Sequence, residues 1–295
     1  MQNALLNQKK ISQQFKDFYN QHKPNNLEEA VEKFAIFGGV EWNDIDTSKD
    51  SMQLIEELIL PDFRYIRDDI TEITTGMPLY HSLLTGVAMG DARVQSAFKR
   101  ANITKEVGDK AVAELLDIGI ITSQKPKKIF SSWSENQIIS NKLYFPTPFL
   151  KFWFTFVSPI FKGIRDGDYA EIRERFKNRE LESTQFVFNQ LAIESLKNMP
   201  SEDKIVEISS YWDKDVEIDI YAKTKSGKTI VGLSKYTNAK IKKSDLNKLK
   251  EMAQSAKIAA DIFVIFAKKG FSNELKSLKG ENLRLYSVKN LKNLI

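Results

Sequence analysis

Apolar positions along the 295-residue chain follow a helical spacing up to about residue 199 and a strand spacing after it. Leu5, Leu6, Ile11, Phe15, Phe18 and Tyr19 share one imperfect face, which predicts a helix over residues 4–21 that stops at Pro24-Asn25-Asn26. Further helices are expected over 27–37, ended by Gly38-Gly39, over 51–60, ended by Pro61, and over 63–75. Leu79 to Val87 reads as an apolar helix, and Asp91 and Thr104 are placed to cap two more that run to about Arg100 and Asp117. Gly119 closes the last of these; Ile120-Ile121-Thr122 then starts a strand, and Ile138 to Phe145 returns as its partner. One or two helices fill 167–199, up to Pro200.

Beyond Pro200 the apolar period falls to two. Strands are expected over 204–210, 216–222 and 229–236, then a helix over 244–259, a strand over 261–267, a short helix over 272–278, a strand over 283–287 and a final helical turn. Ser226-Gly227-Lys228 is turn chemistry and joins the second and third strands as a hairpin. The unbroken apolar run Ile262–Ala267 suits a strand covered on both faces. The pattern predicts a multidomain α+β or α/β chain. Its parts are a helical N-terminal region (1–76), a winged helix-turn-helix with an aromatic connector (77–160) and an αβββαβ domain (161–295).

In a winged module the third helix enters the major groove and the hairpin tip reaches the backbone. Lys105 and Lys110 on that helix, with Lys125, Lys127 and Lys128 on the wing, would then contact phosphates. The same helix carries Glu106, Asp109 and Glu114, a poor match to DNA and a better one to a protein partner, a second copy of the chain included. The aromatic run Pro148–Phe156 has the spacing of a buried helix, so core packing is expected ahead of base stacking.

Charge sharpens this picture. The net charge is only +5, yet residues 221–295 hold 17 Lys/Arg against 5 Asp/Glu. Such an end domain points to a polyanion, and its near-exclusive use of Lys favours phosphate contact over base reading. A Lys-rich solvated surface is the plain alternative. The absence of Cys excludes disulfides and thiolate zinc sites, and two isolated histidines, His22 and His81, argue against a His-based metal site or relay. The apolar stretch Phe145–Phe161 is interrupted by Pro146, Pro148, Lys151 and Pro159, and no secretory leader is read at the N-terminus, so a cytoplasmic protein without a membrane partner is expected. Gly227-Lys228-Thr229 is the only Gly-Lys-Thr, and Ala222 stands where a phosphate-binding loop would need Gly, so no ATP is expected.

The hairpin carries the candidate chemistry, because it brings Asp219 near Lys235. Metal-dependent phosphodiester cleavage uses two carboxylates on a hard cation and a nearby Lys. Two residues before Lys235, however, stands Leu233. Glu217 shares a strand face with Asp219, and Glu194 or Glu207 are further carboxylates within reach of neighbouring elements. The candidate site is thus Asp219, Glu217 and Lys235, with Asp219 as the metal ligand, flanked by phosphate-binding Lys228, Lys240, Lys242 and Lys243. No cofactor is required unless the site cuts, in which case Mg²⁺ or Mn²⁺ is implied.

Three stretches together resemble a family. Phe34-Ala35-Ile36-Phe37-Gly38-Gly39-Val40 resembles the lid region of archaeal-type (DEXX-box) ATPases, and Phe145 to Phe156 resembles their "DPFLRFWF" signature. Tyr211-Trp212 with Glu217-Ile218-Asp219 resembles their C-terminal DUF234 domain, which is similar to the PD-(D/E)XK nucleases. The resemblance begins after the point where the family's nucleotide-binding domain would have ended. Asp219 matches the first acidic residue and Lys235 the Lys, in Gly232-Leu233-Ser234-Lys235-Tyr236 where the family reads Gly-Glu-Cys-Lys-Trp. The superfamily's helix Glu would fall near Phe188-Asn189, and Asn189 is neutral. The resemblance implies a nucleic-acid-binding protein, with DNA as the expected partner, whose nuclease-like domain is degenerate. An active Mg²⁺- or Mn²⁺-dependent nuclease and a protein-assembly module are the alternatives.

Overall fold

The computed structural model describes residues 5–7, 9–127 and 139–295; Lys128 and the expected strand start at Ile138 lie outside the described residues. The chain divides into two compact units, residues 1–25, 32–125 and 140–183 in one and 26–31, 126–139 and 184–295 in the other. Among the described residues no helix is long and apolar enough to cross a membrane.

The first unit is mainly helical. Helices α1 (Ile11–His22), α2 (Leu27–Phe37, whose residues 27–31 belong to the second unit), α3 (Ser51–Leu54) and α4 (Phe63–Ile73) follow the expected order, although α1 starts seven residues later than its apolar pattern suggests. Asp50 caps α3 by accepting from the Met52 and Gln53 amides, and α3 runs on into a π-helical turn, Ile55–Ile59. Helices α5 (Pro78–Ala88), α6 (Val94–Ala101) and α7 (Lys105–Ile118) precede an antiparallel pair, β1 (Thr122–Gln124) and β2 (Lys142–Tyr144). Thr104 caps α7 by accepting from the Val107 amide, and Gly119 ends it in the left-handed region at φ 83°. Asp91 does not cap α6. That position is held by Arg93, and Asp91 instead accepts from the Arg93 amide and the Ser96 hydroxyl.

Helix α8 (Pro148–Phe152) opens into a second π-helical turn, Trp153–Val157, followed by a 3₁₀ turn at Ser158–Ile160 and helix α9 (Phe161–Arg165). Both π turns end two residues before a proline, Pro61 and Pro159, which has no amide to continue the ladder. Phe149, Phe152, Trp153, Phe154 and Phe156 are all buried, with Trp153 stacked on Phe63 at 5.8 Å and Phe156 edge-on to Phe176 at 5.3 Å. The aromatic run is therefore core, each ring stabilising the fold by roughly 1.5–3 kcal/mol, and not a base-stacking platform.

Residues 167–199 form one continuous helix, α10 (Ala170–Asn198), whose C-terminal half belongs to the second unit. There five strands follow in spatial order β3 (Ile205–Trp212), β4 (Glu217–Thr224), β5 (Thr229–Lys235), β6 (Ile262–Ala267) and β7 (Leu283–Ser287). The first three are antiparallel and the last two run parallel to β5. Helix α11 (Lys243–Ser255) links β5 to β6, and α12 (Asn273–Ser277) links β6 to β7. Leu249 and Ala253 of α11 pack on Tyr221 and Val231, while Leu246 and Leu275 pack on Ile265 and Ala267. The other face meets α10, where Phe188 lies 5.2 Å from the Tyr236 ring. The apolar run in β6 is thus covered on both sides. Gly232 sits where β4, β5 and β6 crowd together, since a Cβ there would lie 2.8 Å from the Val264 carbonyl oxygen and 3.2 Å from the Ile220 Cβ.

Candidate functional site

The β4–β5 ladder ends at the pair Ile220↔Gly232. One residue beyond, the Asp219 side chain takes the place of a main-chain acceptor: its Oδ2 lies 2.8 Å from the Ser234 amide. The Ser210 hydroxyl donates to the Asp219 carbonyl at 3.0 Å, so both neighbouring strands hold this residue. Continued register places Asp219 opposite Leu233, and period two places Glu217 on the same face, exposed at the start of β4. Leu233, partly buried, packs against both apolar clusters beneath α11 and α12.

Lys235 ends β5, and its Nζ donates to Asp245 Oδ1 at 2.5 Å. Asp245 Oδ2 accepts from the Lys242 amide at 2.8 Å, so one carboxylate both caps α11 and holds the lysine. Burial pushes the Asp245 carboxyl upward, but the Lys235 and Lys242 hydrogen bonds, with the charges of Lys235 and Lys248, outweigh it and hold the group below the ordinary Asp range. From α10, Gln185 donates to the Ser234 carbonyl at 3.0 Å and accepts from the Tyr236 amide at 2.6 Å, fixing the strand end from the other face. Asn189, the neutral residue on α10, has a buried side-chain oxygen without a hydrogen-bond partner among the described residues.

This donor set does not fit a divalent cation. Asp219 spends an oxygen on a backbone amide, Leu233 offers none, Asn189 is neutral, and the Lys235 ammonium is engaged by Asp245. Among the described residues no three Asp, Glu or His side chains gather in a ligating group. Hard cations bind through several oxygens, and of the two carboxylates on this face Asp219 is half-committed while Glu217 stands exposed at the start of β4.

The basic residues form a clearer arrangement. Lys235, Ala267 and Ser287 stand in register at the carboxyl ends of the three parallel strands, where open α/β sheets present their ligand crevice. Lys240, Lys242 and Lys243 are exposed on the connection from β5 into α11; Lys243 is 3.1 Å from Glu274. Lys268 and Lys269 follow β6 at the same edge. Lys268 lies over the Tyr236 ring at 4.5 Å and 3.4 Å from Glu28, and Lys269 is 2.8 Å from Glu28. Burial raises the Glu28 carboxyl, and the two lysines more than reverse this. Lys228 is exposed in the turn before β5, at the opposite end of that strand.

The remaining expected cations are dispersed. Lys105 pairs with Asp109 one turn along α7, and Lys110 and Lys125 are exposed. Lys127, in contrast, pairs with Glu207 and lies 4.6 Å from the Tyr221 ring centre instead of standing clear at a hairpin tip. Sequence reasoning missed Asp245, Gln185, Glu28, Lys268 and Lys269. For Asp245 a signal existed: an acidic residue in the first turn of a helix is a capping pattern.

No curated protein and no solved structure matches the chain. Residues 153–249, from the aromatic run into α11 and spanning Asp219, Lys235 and Asp245, match the model of the DUF234 family, described as archaea bacterial proteins of unknown function.

Proposed function

We propose that the second unit binds the phosphate backbone of nucleic acid, with duplex DNA as the expected ligand, and does not cleave it. The observation that carries this reading is the use made of the two residues that match a nuclease motif: Asp219 completes a strand ladder and Lys235 is tied to Asp245, while Lys240 and Lys242 at the same edge are exposed. The αβββαβ order, with antiparallel β3–β5 and a helical return to parallel β6, supports a PD-(D/E)XK-like reading of this unit. The succession of α5, α6 and α7 and the β1–β2 pair, extended by the isolated bridge between Arg93 and Lys142, supports a winged helix in the first. The ion-paired Lys105 and the exposed Val107 and Leu116 on α7 favour the second unit as the principal phosphate contact.

The test incubates a labelled DNA duplex with the full chain in Mg²⁺ and in Mn²⁺, reading retention and strand integrity together. Retention with intact strands is the expected result. Scission that disappears in Asp219→Ala would replace this reading with that of a metal-dependent nuclease, and absence of retention at low salt would remove nucleic acid as the ligand.

A further inference from the structure

A cleft of about 540 Å³ opens in the first unit between α5, the last turn of α6 and the Ser158–Ile160 turn. Its volume is that of a small-molecule site, for which about 300–1,000 Å³ is usual. Helix α5 presents Ser82 and Thr85 to it, and its C-cap Met89 continues the same face, at spacings of three and four. Arg100 and Ser158 enter from the other walls, and Met89 and Pro159 supply apolar surface.

The polar groups that line this cleft are hydroxyls, one imidazole and one guanidinium. The hydroxyls of Ser82, Thr85 and Ser158 make no side-chain hydrogen bond among the described residues, and no Asp or Glu lines the cleft. The guanidinium of Arg100 makes no hydrogen bond there; it forms a long ion pair with Asp91 at 3.9 Å, and its charge also acts on Glu182. It rests against Gly90, where any Cβ would collide with Nη1, with its side chain still 45% exposed. Gly86 likewise has no room for a side chain, a Cβ there falling 2.8 Å from the Ala97 carbonyl, so α5 and α6 meet closely at the cleft floor. Burial first and Arg67 second hold the His81 imidazole below the ordinary His range, and its Nε2 lies 3.0 Å from the Thr74 hydroxyl.

Three hydroxyls and one guanidinium facing a common cleft, with apolar surface alongside, define a complementary ligand. We infer that this cleft binds a small organic monocarboxylate with an apolar body, the carboxylate forked on Arg100 and bonded by the hydroxyls of Thr85, Ser82 and Ser158. A planar guanidinium matches a carboxylate through two parallel hydrogen bonds, and a single cation balances a monoanion better than a phosphate dianion. Nothing in this inference depends on how the second unit binds polyanions.

Titration calorimetry of the full chain, at constant ionic strength, would use benzoate and 2-naphthoate as probes, with benzamide and inorganic phosphate as comparisons. At least one aromatic acid is expected to saturate a single site, and benzamide and phosphate to bind at least about tenfold more weakly. Arg100→Gln should weaken the acid by roughly 10- to 100-fold, the range of a charged hydrogen bond, and Thr85→Val by roughly 2- to 10-fold, that of a neutral one. Thr85→Val keeps shape and volume, so it decides the matter if Arg100→Gln fails to fold. The inference is overturned if neither acid binds, if benzamide or phosphate binds as well as the acid, or if a folded variant binds the acid unchanged.

Discussion

Replacing Asp219 by alanine separates a structural carboxylate from a catalytic one. The Ser234 amide finds Asp219 Oδ2 at 2.8 Å just beyond the last β4–β5 pair, and Ser234 itself is only 2% exposed. Alanine would leave that amide buried without its acceptor. A hydrogen bond to a charged group contributes about 1.5–3 kcal/mol, and a stranded buried donor costs about the same, so a loss of roughly 2 kcal/mol is expected. Asparagine keeps an oxygen at the same reach and should cost about 1 kcal/mol or less. Urea unfolding followed through the buried Trp212 gives the energies, and hydrogen exchange at the Ser234 amide locates them. Asp219→Ala unfolding at the wild-type urea concentration with Ser234 still protected would refute the reasoning. So would an Asn variant as unstable as the Ala one.

Gly232→Val should destabilise the second unit by roughly 1–3 kcal/mol, because the added carbons meet the Val264 carbonyl and Ile220; an unchanged unfolding midpoint would contradict that crowding. Glu180 is held above the ordinary Glu range by burial and by the charges of Glu32 and Asp50, against Lys33 and a Ser51 hydrogen bond. Its folded-state pKa is raised, so its contribution to stability is complete below the unfolded value and is lost as pH rises through the folded one. Glu180→Gln should therefore stabilise more at pH 7 than at pH 4 in paired urea titrations, and equal effects would argue against the shift. Lys151 is depressed to about 8 by burial, with Glu182 opposing and Arg179 assisting. A lysine lowered in the fold favours stability as pH rises from there toward 10.5, so the gain from Lys151→Met should be greatest near pH 7 and shrink by pH 10. A pH-independent gain would contradict it.

Much of the framework was legible because local chemistry decides it. The period-two runs on either side of Ser226-Gly227 became β4 and β5 within a residue or two, and Thr104 and Gly119 bound α7 as their types require. The π turns at Ile55–Ile59 and Trp153–Val157 left no such trace, since a one-residue widening of a helix follows packing and the neighbouring proline more than any periodic pattern. Continuity of α10 was open for a related reason: its buried face drifts along 29 residues and blurs the apolar stripe.

The candidate site was legible as a list of residues and less so as a set of partners. Asp219 and Lys235 can be read from a hairpin, but that one bonds the Ser234 amide and the other Asp245 depends on where the ladder stops and where α11 begins. Lys127 illustrates the limit, for Lys125-Pro126-Lys127-Lys128 reads as a solvated tip, while the neighbours of Lys127 are Glu207 and Tyr221, about eighty residues or more away in sequence. Glu28 with Lys268 and Lys269 is more remote still, and no local pattern announces a contact between residues 241 positions apart.

The account rests most directly on the exposed lysines between β5 and α11. Duplex affinity should be measured at several salt concentrations for the wild-type chain and for the double variant Lys240→Glu, Lys242→Glu. Each phosphate contact adds close to one unit to the slope of log affinity against log salt, so the account predicts a steep wild-type slope and a variant slope shallower by about two. A wild-type affinity indifferent to salt, or a variant whose slope and affinity match the wild type, would contradict it.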